Sequence, residues 1–201
     1  MTLQFFGRLA GVLTLTVGLA GCIDVTMDIE VKSETEGKAT TTSVMGADFY
    51  AMAKAGAASG ETKTEDGFCQ EEGAQLTENA DGSATCVLTV EGKFADLKLD
   101  EGEDGATFTV VSPGVVKVAF KTDDMKGELG TEGQDEQTKQ MMIAFFEGHS
   151  IIIRIRGKEV TDTNMTLSDD KTSAEVVIPF LDLINGTIDL PDELYATVKT
   201  N

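Results

Sequence analysis

A strict alternation of apolar and polar residues at positions 23 to 32 limits the possible folds more than any other feature of the chain. The apolar positions are Ile23, Val25, Met27, Ile29 and Val31, and the polar positions are Asp24, Thr26, Asp28, Glu30 and Lys32. Because successive side chains of a strand point to opposite faces, this pattern predicts a β-strand with one buried and one solvated face. Such a strand needs neighbouring strands and an apolar layer over its buried face.

Short turns between further strand-like stretches predict hairpins. The predicted strands are residues 38–44, 74–78, 84–91, the two arms of "TFTVVSPGVVKVAF", "SIIIRIR", "AEVVIPF" and "ELYATVK". Asp81-Gly82 and Pro113-Gly114 mark two of the turns, since proline presets the first turn position and glycine accepts a positive φ at the second. In "SIIIRIR" the pattern predicts that Ile151, Ile153 and Ile155 point inward.

Two stretches predict helices, namely residues 47–58, which are rich in alanine, and residues 135–148, which end at a glycine. The strands come in hairpins and do not alternate singly with helices. The predicted fold class is therefore α+β, with one antiparallel, bent β-sheet of hairpins and two main helices packed on one face.

The first 21 residues are typical of a secretory signal. Arg8 is their only charge, and the apolar run from Leu9 to Ala20 is shorter than the roughly 20 residues that a membrane-spanning helix needs. Leu19-Ala20-Gly21-Cys22 is similar to the bacterial lipoprotein signal, in which the cysteine receives a diacylglyceryl thioether and fatty acyl chains such as palmitate. We therefore expect residues 1–21 to be removed and residues 22–201 to form a single lipid-anchored extracytoplasmic domain. An uncleaved anchor and an ordinary signal peptide are the alternatives.

Composition limits the partners of the mature domain. Without Arg8, it carries 15 basic and 35 acidic residues, a net charge of −20. A nucleic-acid partner is not expected, because phosphate binding needs a basic surface. Ile23 follows the cysteine, where an aspartate would favour retention in the inner membrane. We therefore expect the outer membrane, facing the periplasm, with the lipid as the membrane attachment.

The two cysteines other than Cys22 are Cys69 and Cys86, and an even pair in an oxidising compartment predicts a disulfide bond. Closing a loop of this length contributes about 3 kcal/mol to stability in the chain-entropy model. The spacing does not suit a metal or redox pair.

The sequence offers little for catalysis. His149 is the only histidine, and no G-x-S-x-G motif surrounds a serine. We therefore expect no enzymatic activity, no catalytic residues, no metal and no cofactor. The alternative is an envelope hydrolase or a calcium-dependent factor that uses acidic loop residues, for which Asp123-Asp124 and Asp169-Asp170 are the suggestive clusters. The loop from Asp100 has glycine and valine at two EF-hand ligand positions, so it does not fit that motif.

Methionine, phenylalanine and isoleucine side chains form adaptable apolar surfaces, and they are concentrated in "MMIAFF" and the strand after it. Ordinary core packing and a lipid-binding cavity both account for this concentration. The candidate apolar ligand face consists of Met141, Met142, Phe145, Phe146, Ile151 and Ile153. We expect the partner to be a lipid or an envelope protein.

The segment "GKEVTDTNMTLSDDKTSAEVVIPF", residues 157 to 180, resembles the C-terminal part of LppM-like lipoprotein domains, which are known from mycobacteria. "CIDVTMDIEV" after the lipoprotein signal is similar as well. The resemblance implies an α+β domain implicated in binding phosphatidylinositol-mannoside-type lipids at the cell envelope. The insert between Cys69 and Cys86 departs from that pattern, so ligand identity is not transferred. We expect Asn164 to bond backbone groups of its own turn.

Overall fold

The computed structural model describes residues 23–59, 68–97, 106–122 and 136–200, and strands form the larger share of their regular structure. In chain order the strands are β1 (Ile23–Val31), β2 (Glu36–Met45), β3 (Gln75–Glu78), β4 (Ala84–Lys93), β5 (Thr107–Ser112), β6 (Val115–Lys121), β7 (Ser150–Arg156), β8 (Glu159–Thr163), β9 (Thr166–Leu167), β10 (Ser173–Pro179) and β11 (Glu193–Lys199). The helices are α1 (Ala47–Ser59), α2 (Glu136–Phe146) and α3 (Phe180–Ile184), with one 3-10 turn at Phe94–Asp96.

The strands form two sheets. The long sheet has the order β3-β4-β2-β1-β7-β10-β9, and the short sheet has the order β5-β6-β11-β8. The predicted hairpins β1–β2, β3–β4 and β5–β6 are confirmed. Gly82 and Gly114 have φ values of 88° and 74°, which is the backbone conformation that these turns require and that glycine adopts without strain.

Strands β1 and β7 pair in parallel, with Val25 opposite Ile151. A tight turn cannot join parallel neighbours, so this pairing brings together segments that are distant in the sequence. The carboxylate of Asp24 accepts the backbone N–H of Ser150 at 3.0 Å, although the two residues are 126 positions apart.

The main core lies between the two sheets. The long sheet contributes Ile29, Val31, Ile153, Ile155, Ala174 and Ile178, and the short sheet contributes Val116, Val118, Phe120, Val160, Leu194, Ala196 and Val198. Ile153 and Ile155 are 1% and 0% exposed, and Ile151 is partly buried against the same cluster. The predicted inward direction of these three side chains is confirmed.

The predicted fold class is wrong in its architecture. The buried face of the long sheet is covered by a second sheet, and the described residues contain three short helices where two main helices on one face were expected. The physical reason is that alternation shows which face of a strand is buried but not what covers it. Among the described residues, no helix has the length and hydrophobicity needed to cross a bilayer.

Asn164 ties the turn after β8 to β11. Its Nδ2 donates to the carbonyl of Glu193 at 2.7 Å, and its Oδ1 accepts the backbone N–H of Tyr195 at 2.9 Å. The expectation that Asn164 bonds its own turn is therefore wrong, because its amide lies beside the neighbouring strand. The backbone at Gly157, just before β8, also packs closely against β11, because a Cβ added to this glycine would lie 2.4 Å from Cγ1 of Val198.

Candidate functional site

All three helices lie at one end of the long sheet, which we call the helical end. It is formed by Ile23 of β1, Met45 of β2, Ala84 of β4, Ser150 of β7 and Pro179 of β10. Helix α1 begins two residues after β2, α2 ends shortly before β7, and α3 directly follows β10. The antiparallel and parallel pairings thus bring these strand ends and helix ends together.

Aromatic contacts join the three helices. Phe49 of α1 meets the ring of Phe145 of α2 edge to face, with centroids 5.1 Å apart. Phe146 of α2 packs against Phe180 of α3 with centroids 4.8 Å apart. Since edge-to-face and tilted aromatic pairs stabilise packing beyond simple burial, these contacts fix α2 between the other two helices.

The residues of the predicted apolar ligand face therefore lie in different parts of the structure. Phe145 and Phe146 pack against the other helices, and Ile153 lies in the main core between the sheets. Ile151 is partly buried against that core, and Met142 is half-buried on α2. The side chain of Met141 lies outside the described residues. The ligand face stays a prediction.

A second, smaller apolar cluster lies under α1. Met45, Tyr50 and Ala84 are buried, and Ile23, Phe49, Ala53 and Phe68 pack against them. Ile23 is thus part of the folded body at the first position of β1. The predicted lipidation site, Cys22, lies outside the described residues and directly precedes Ile23 in the sequence.

His149 lies at the centre of the helical end and its side chain is 15% exposed. Its Nδ1 is 3.1 Å from Oδ2 of Asp24 on β1. Its backbone N–H donates to the carbonyl of Phe146, and its carbonyl accepts the N–H of Phe180, each at 3.1 Å. His149 therefore connects α2, α3 and β1.

A polar cluster lines an open groove of about 370 Å³ between α1 and the β3–β4 hairpin. Tyr50 Oη and Lys54 Nζ both donate to Oε1 of Glu78, at 2.8 and 2.7 Å. Asn79 and Gly82 contribute to the opposite wall. Tyr50 and Lys54 share a helix face by their spacing, but their contact with Glu78 depends on the position of the hairpin, so the sequence pattern did not reveal the cluster.

The hydrogen bonds of this cluster shift three pKa values. The bond from Lys54, followed by the bond from Tyr50, lowers the pKa of the Glu78 carboxyl. The bond to Glu78 raises the pKa of the Tyr50 phenol and also that of the Lys54 ammonium. These shifts make the carboxylate a weaker base and the phenol and ammonium weaker acids, the opposite of what a general acid or base at neutral pH requires.

A ladder of ion pairs crosses the solvated face of the long sheet. Asp28 of β1 lies 3.5 Å from Arg154 and 2.6 Å from Arg156. Arg154 Nε donates to Glu175 of β10 at 2.8 Å, and Arg156 lies 3.4 Å from Glu30. Because each guanidinium on this face has carboxylate partners, the ladder joins neighbouring strands and offers little net charge to an anionic ligand.

The disulfide between Cys69 and Cys86 is confirmed, with Cα atoms 5.5 Å apart. Cys86 lies on β4, opposite Leu76 of β3 and Ser43 of β2. The bond thus joins the segment before β3 to β4, the second strand of the long sheet, beside the apolar cluster under α1.

Of the acidic clusters considered for catalysis or calcium binding, the structure describes the pair Asp169-Asp170. Asp170 Oδ1 accepts hydrogen bonds from Ser168 and Thr172 inside a tight turn, and the bond from Ser168 contributes most to lowering the pKa of this carboxyl. Asp123, Asp124 and the loop from Asp100 lie outside the described residues. Within the described ranges, no group of three or more His, Cys, Asp or Glu side chains is arranged to hold a metal ion.

Comparison with known proteins gives one structural similarity. No family model matches the chain, and no curated protein matches it significantly. The NMR structure of the folded domain of the Mycobacterium tuberculosis LppM protein matches 90% of this chain and 92% of its own length, with 10% sequence identity and a TM-score of 0.48. The chain therefore has a weak structural resemblance to the LppM folded domain.

Proposed function

We propose that this protein is a non-enzymatic lipoprotein of the bacterial cell envelope, anchored to the membrane through Cys22. The observation that carries the proposal is the position of β1. This strand is paired from its first residue, with Ile23 opposite Met45, directly after the cysteine of the lipoprotein signal. The lipid is then one residue away from the folded body, and no flexible tether separates them.

The site chemistry supports a binding role in place of catalysis. In the Tyr50–Lys54–Glu78 cluster, the pKa shifts stabilise the charged carboxylate and ammonium and the neutral phenol, so proton transfer at neutral pH is disfavoured. Asp170 is held by the hydrogen bonds of its own turn. The acidic surface favours neutral or basic ligands over nucleic acids.

Metabolic labelling tests the anchor. Cells that express the full chain are fed a clickable fatty acid, and the membrane and soluble fractions are compared for the natural chain and for Cys22→Ala. We expect the natural chain to carry the label and to sediment with the membrane, and Cys22→Ala to lose both properties. A Cys69→Ala/Cys86→Ala double variant is the matched control, because it removes two other cysteines and should keep the label. An unlabelled natural chain that fractionates like Cys22→Ala would contradict the proposal.

The outer membrane is the proposed location, with the folded body in the periplasm. Ile23 follows the cysteine, and an Ile23→Asp variant would introduce the inner-membrane retention residue. Separation of inner and outer membranes on a density gradient should move this variant toward the inner membrane. If the natural chain is already found in the inner membrane and Ile23→Asp does not change its distribution, the outer-membrane assignment is contradicted.

The proposed ligand is a lipid or an envelope protein, and the two are distinguished by native mass spectrometry of the purified mature domain. A lipid ligand should appear as a co-purifying mass that is lost on collisional activation. If no such mass appears, cross-linking in intact cells should identify a protein partner. A domain that shows neither lipid nor a specific cross-link would contradict a binding function.

A further inference from the structure

Helix α1 lies beside the point at which the anchored chain enters the fold. The side chain of Ile23 packs against the cluster that contains Tyr50 of α1 and Met45, and α1 starts two residues after Met45. Ile23 directly follows Cys22 in the sequence, and consecutive Cα atoms of a chain are about 3.8 Å apart. A lipid on Cys22 would therefore hold α1 close to the bilayer.

The two faces of α1 differ in their environment. Tyr50 is buried, and Phe49 and Ala53 pack toward the cluster under the helix. The opposite face is formed by the exposed residues Asp48, Ala51, Met52 and Ala55, whose spacing places them on one side of a helix. We call these four residues the outer face of α1.

The outer face is apolar except for one carboxylate, in a chain with 35 acidic residues. Met52 is 65% exposed, which is the highest exposure of any large apolar side chain among the described residues. The other exposed side chains of this kind include Val110 and Val111 on β5 and Val177 on β10. An exposed methionine surrounded by small apolar residues is a surface that water solvates poorly and that lipid can cover.

We propose that the outer face of α1 contacts the surface of the bilayer that holds Cys22. This inference rests on the proposed function, because the acylated cysteine supplies the proximity. A methionine and two alanines bury too little area to bind a membrane alone. Next to a covalent anchor, however, the second contact is intramolecular and needs little free energy of its own.

The test uses the full lipidated chain with a single added thiol. A Met52→Cys variant is labelled with an environment-sensitive nitrobenzoxadiazole probe and reconstituted into phosphatidylcholine vesicles, with or without lipids that carry a spin label in the acyl chain. The matched control is Thr35→Cys, because Thr35 is exposed in the turn between β1 and β2, at the opposite end of the long sheet.

We expect the probe at position 52 to shift to shorter wavelength and to be quenched at least about twofold more strongly than the probe at position 35, since interfacial helices place their apolar face 5–10 Å into the bilayer boundary. Intact-mass analysis shows whether the protein is acylated. If it is acylated and the probes at positions 52 and 35 are quenched equally, the contact of α1 with the bilayer is refuted and the proposed function is not. A preparation without acyl chains would overturn the proposed function and the inference together.

Discussion

Replacement of Ile153 by alanine tests the two-sheet core directly. Ile153 is 1% exposed in the cluster between the sheets, and it lies opposite Val176 of β10. The substitution removes three carbon atoms, which is about 2.4 kcal/mol of transfer free energy at about 0.8 kcal/mol per buried carbon. The residual cavity adds to this cost, so we expect the free energy of unfolding to fall by about 2–5 kcal/mol.

Val177→Ala is the matched control for this substitution. Val177 lies on β10, opposite Ile152, on the solvated face of the same sheet, and it is 52% exposed. The variant removes two carbon atoms from a residue that is already about half exposed, so we expect a loss below about 1 kcal/mol.

Urea denaturation of the mature domain, followed by far-ultraviolet circular dichroism, measures both losses. In thermal unfolding of a domain of this size, a loss of 1 kcal/mol lowers Tm by about 2–4 °C, so Ile153→Ala should lower Tm by roughly 4–20 °C. Equal, small losses in the two variants would refute the placement of Ile153 between the sheets. They would favour a position on a ligand-binding surface, where truncation has little effect on stability.

Three further predictions concern other parts of the fold. The Cys69→Ala/Cys86→Ala double variant should lose about 3 kcal/mol in urea denaturation, because the pair closes a loop with a sequence separation of 17; a loss below about 1 kcal/mol would show that the loop is already restricted in the unfolded chain. Gly157→Ala should destabilise the domain by about 1–3 kcal/mol, because the added Cβ would lie 2.4 Å from Cγ1 of Val198, and an unchanged Tm would contradict that close packing. The pKa of Asp170 is lowered by the hydrogen bonds of its turn, so its contribution to stability is present above the ordinary pKa of 3.8 and is lost as pH falls through the lower folded-state pKa. Asp170→Asn should therefore reduce the dependence of Tm on pH in acid, and an unchanged dependence would exclude this contribution.

Local features of the sequence predicted the local structure well. The turns at Asp81-Gly82 and Pro113-Gly114 join paired strands, and the disulfide lies between the two cysteines left over from the lipoprotein signal. These predictions depend on the conformational limits of glycine and proline and on an even cysteine count, which act within short segments. The alternation in β1 correctly identified the buried face of that strand.

The contacts between segments that are distant in the sequence could not be predicted from such local features. Nothing in the residues around Val25 or Ile151 indicates that they become parallel neighbours, and no local pattern shows that Asn164 bonds β11. Helix α3 was missed because "AEVVIPF" has the composition of a strand, although Pro179 ends β10 and lies directly before the helix. For the candidate site, α1 was predicted, but the groove it forms with Glu78 depends on the packing of a separate hairpin.

Intact-mass measurement of the protein extracted from bacterial membranes tests the central claim most directly. We predict a chain that starts at Cys22 and carries the added mass of a diacylglyceryl group, with the whole excess located on the N-terminal peptide. A chain that retains residues 1–21, or one that starts elsewhere and carries no acyl mass, would contradict the account.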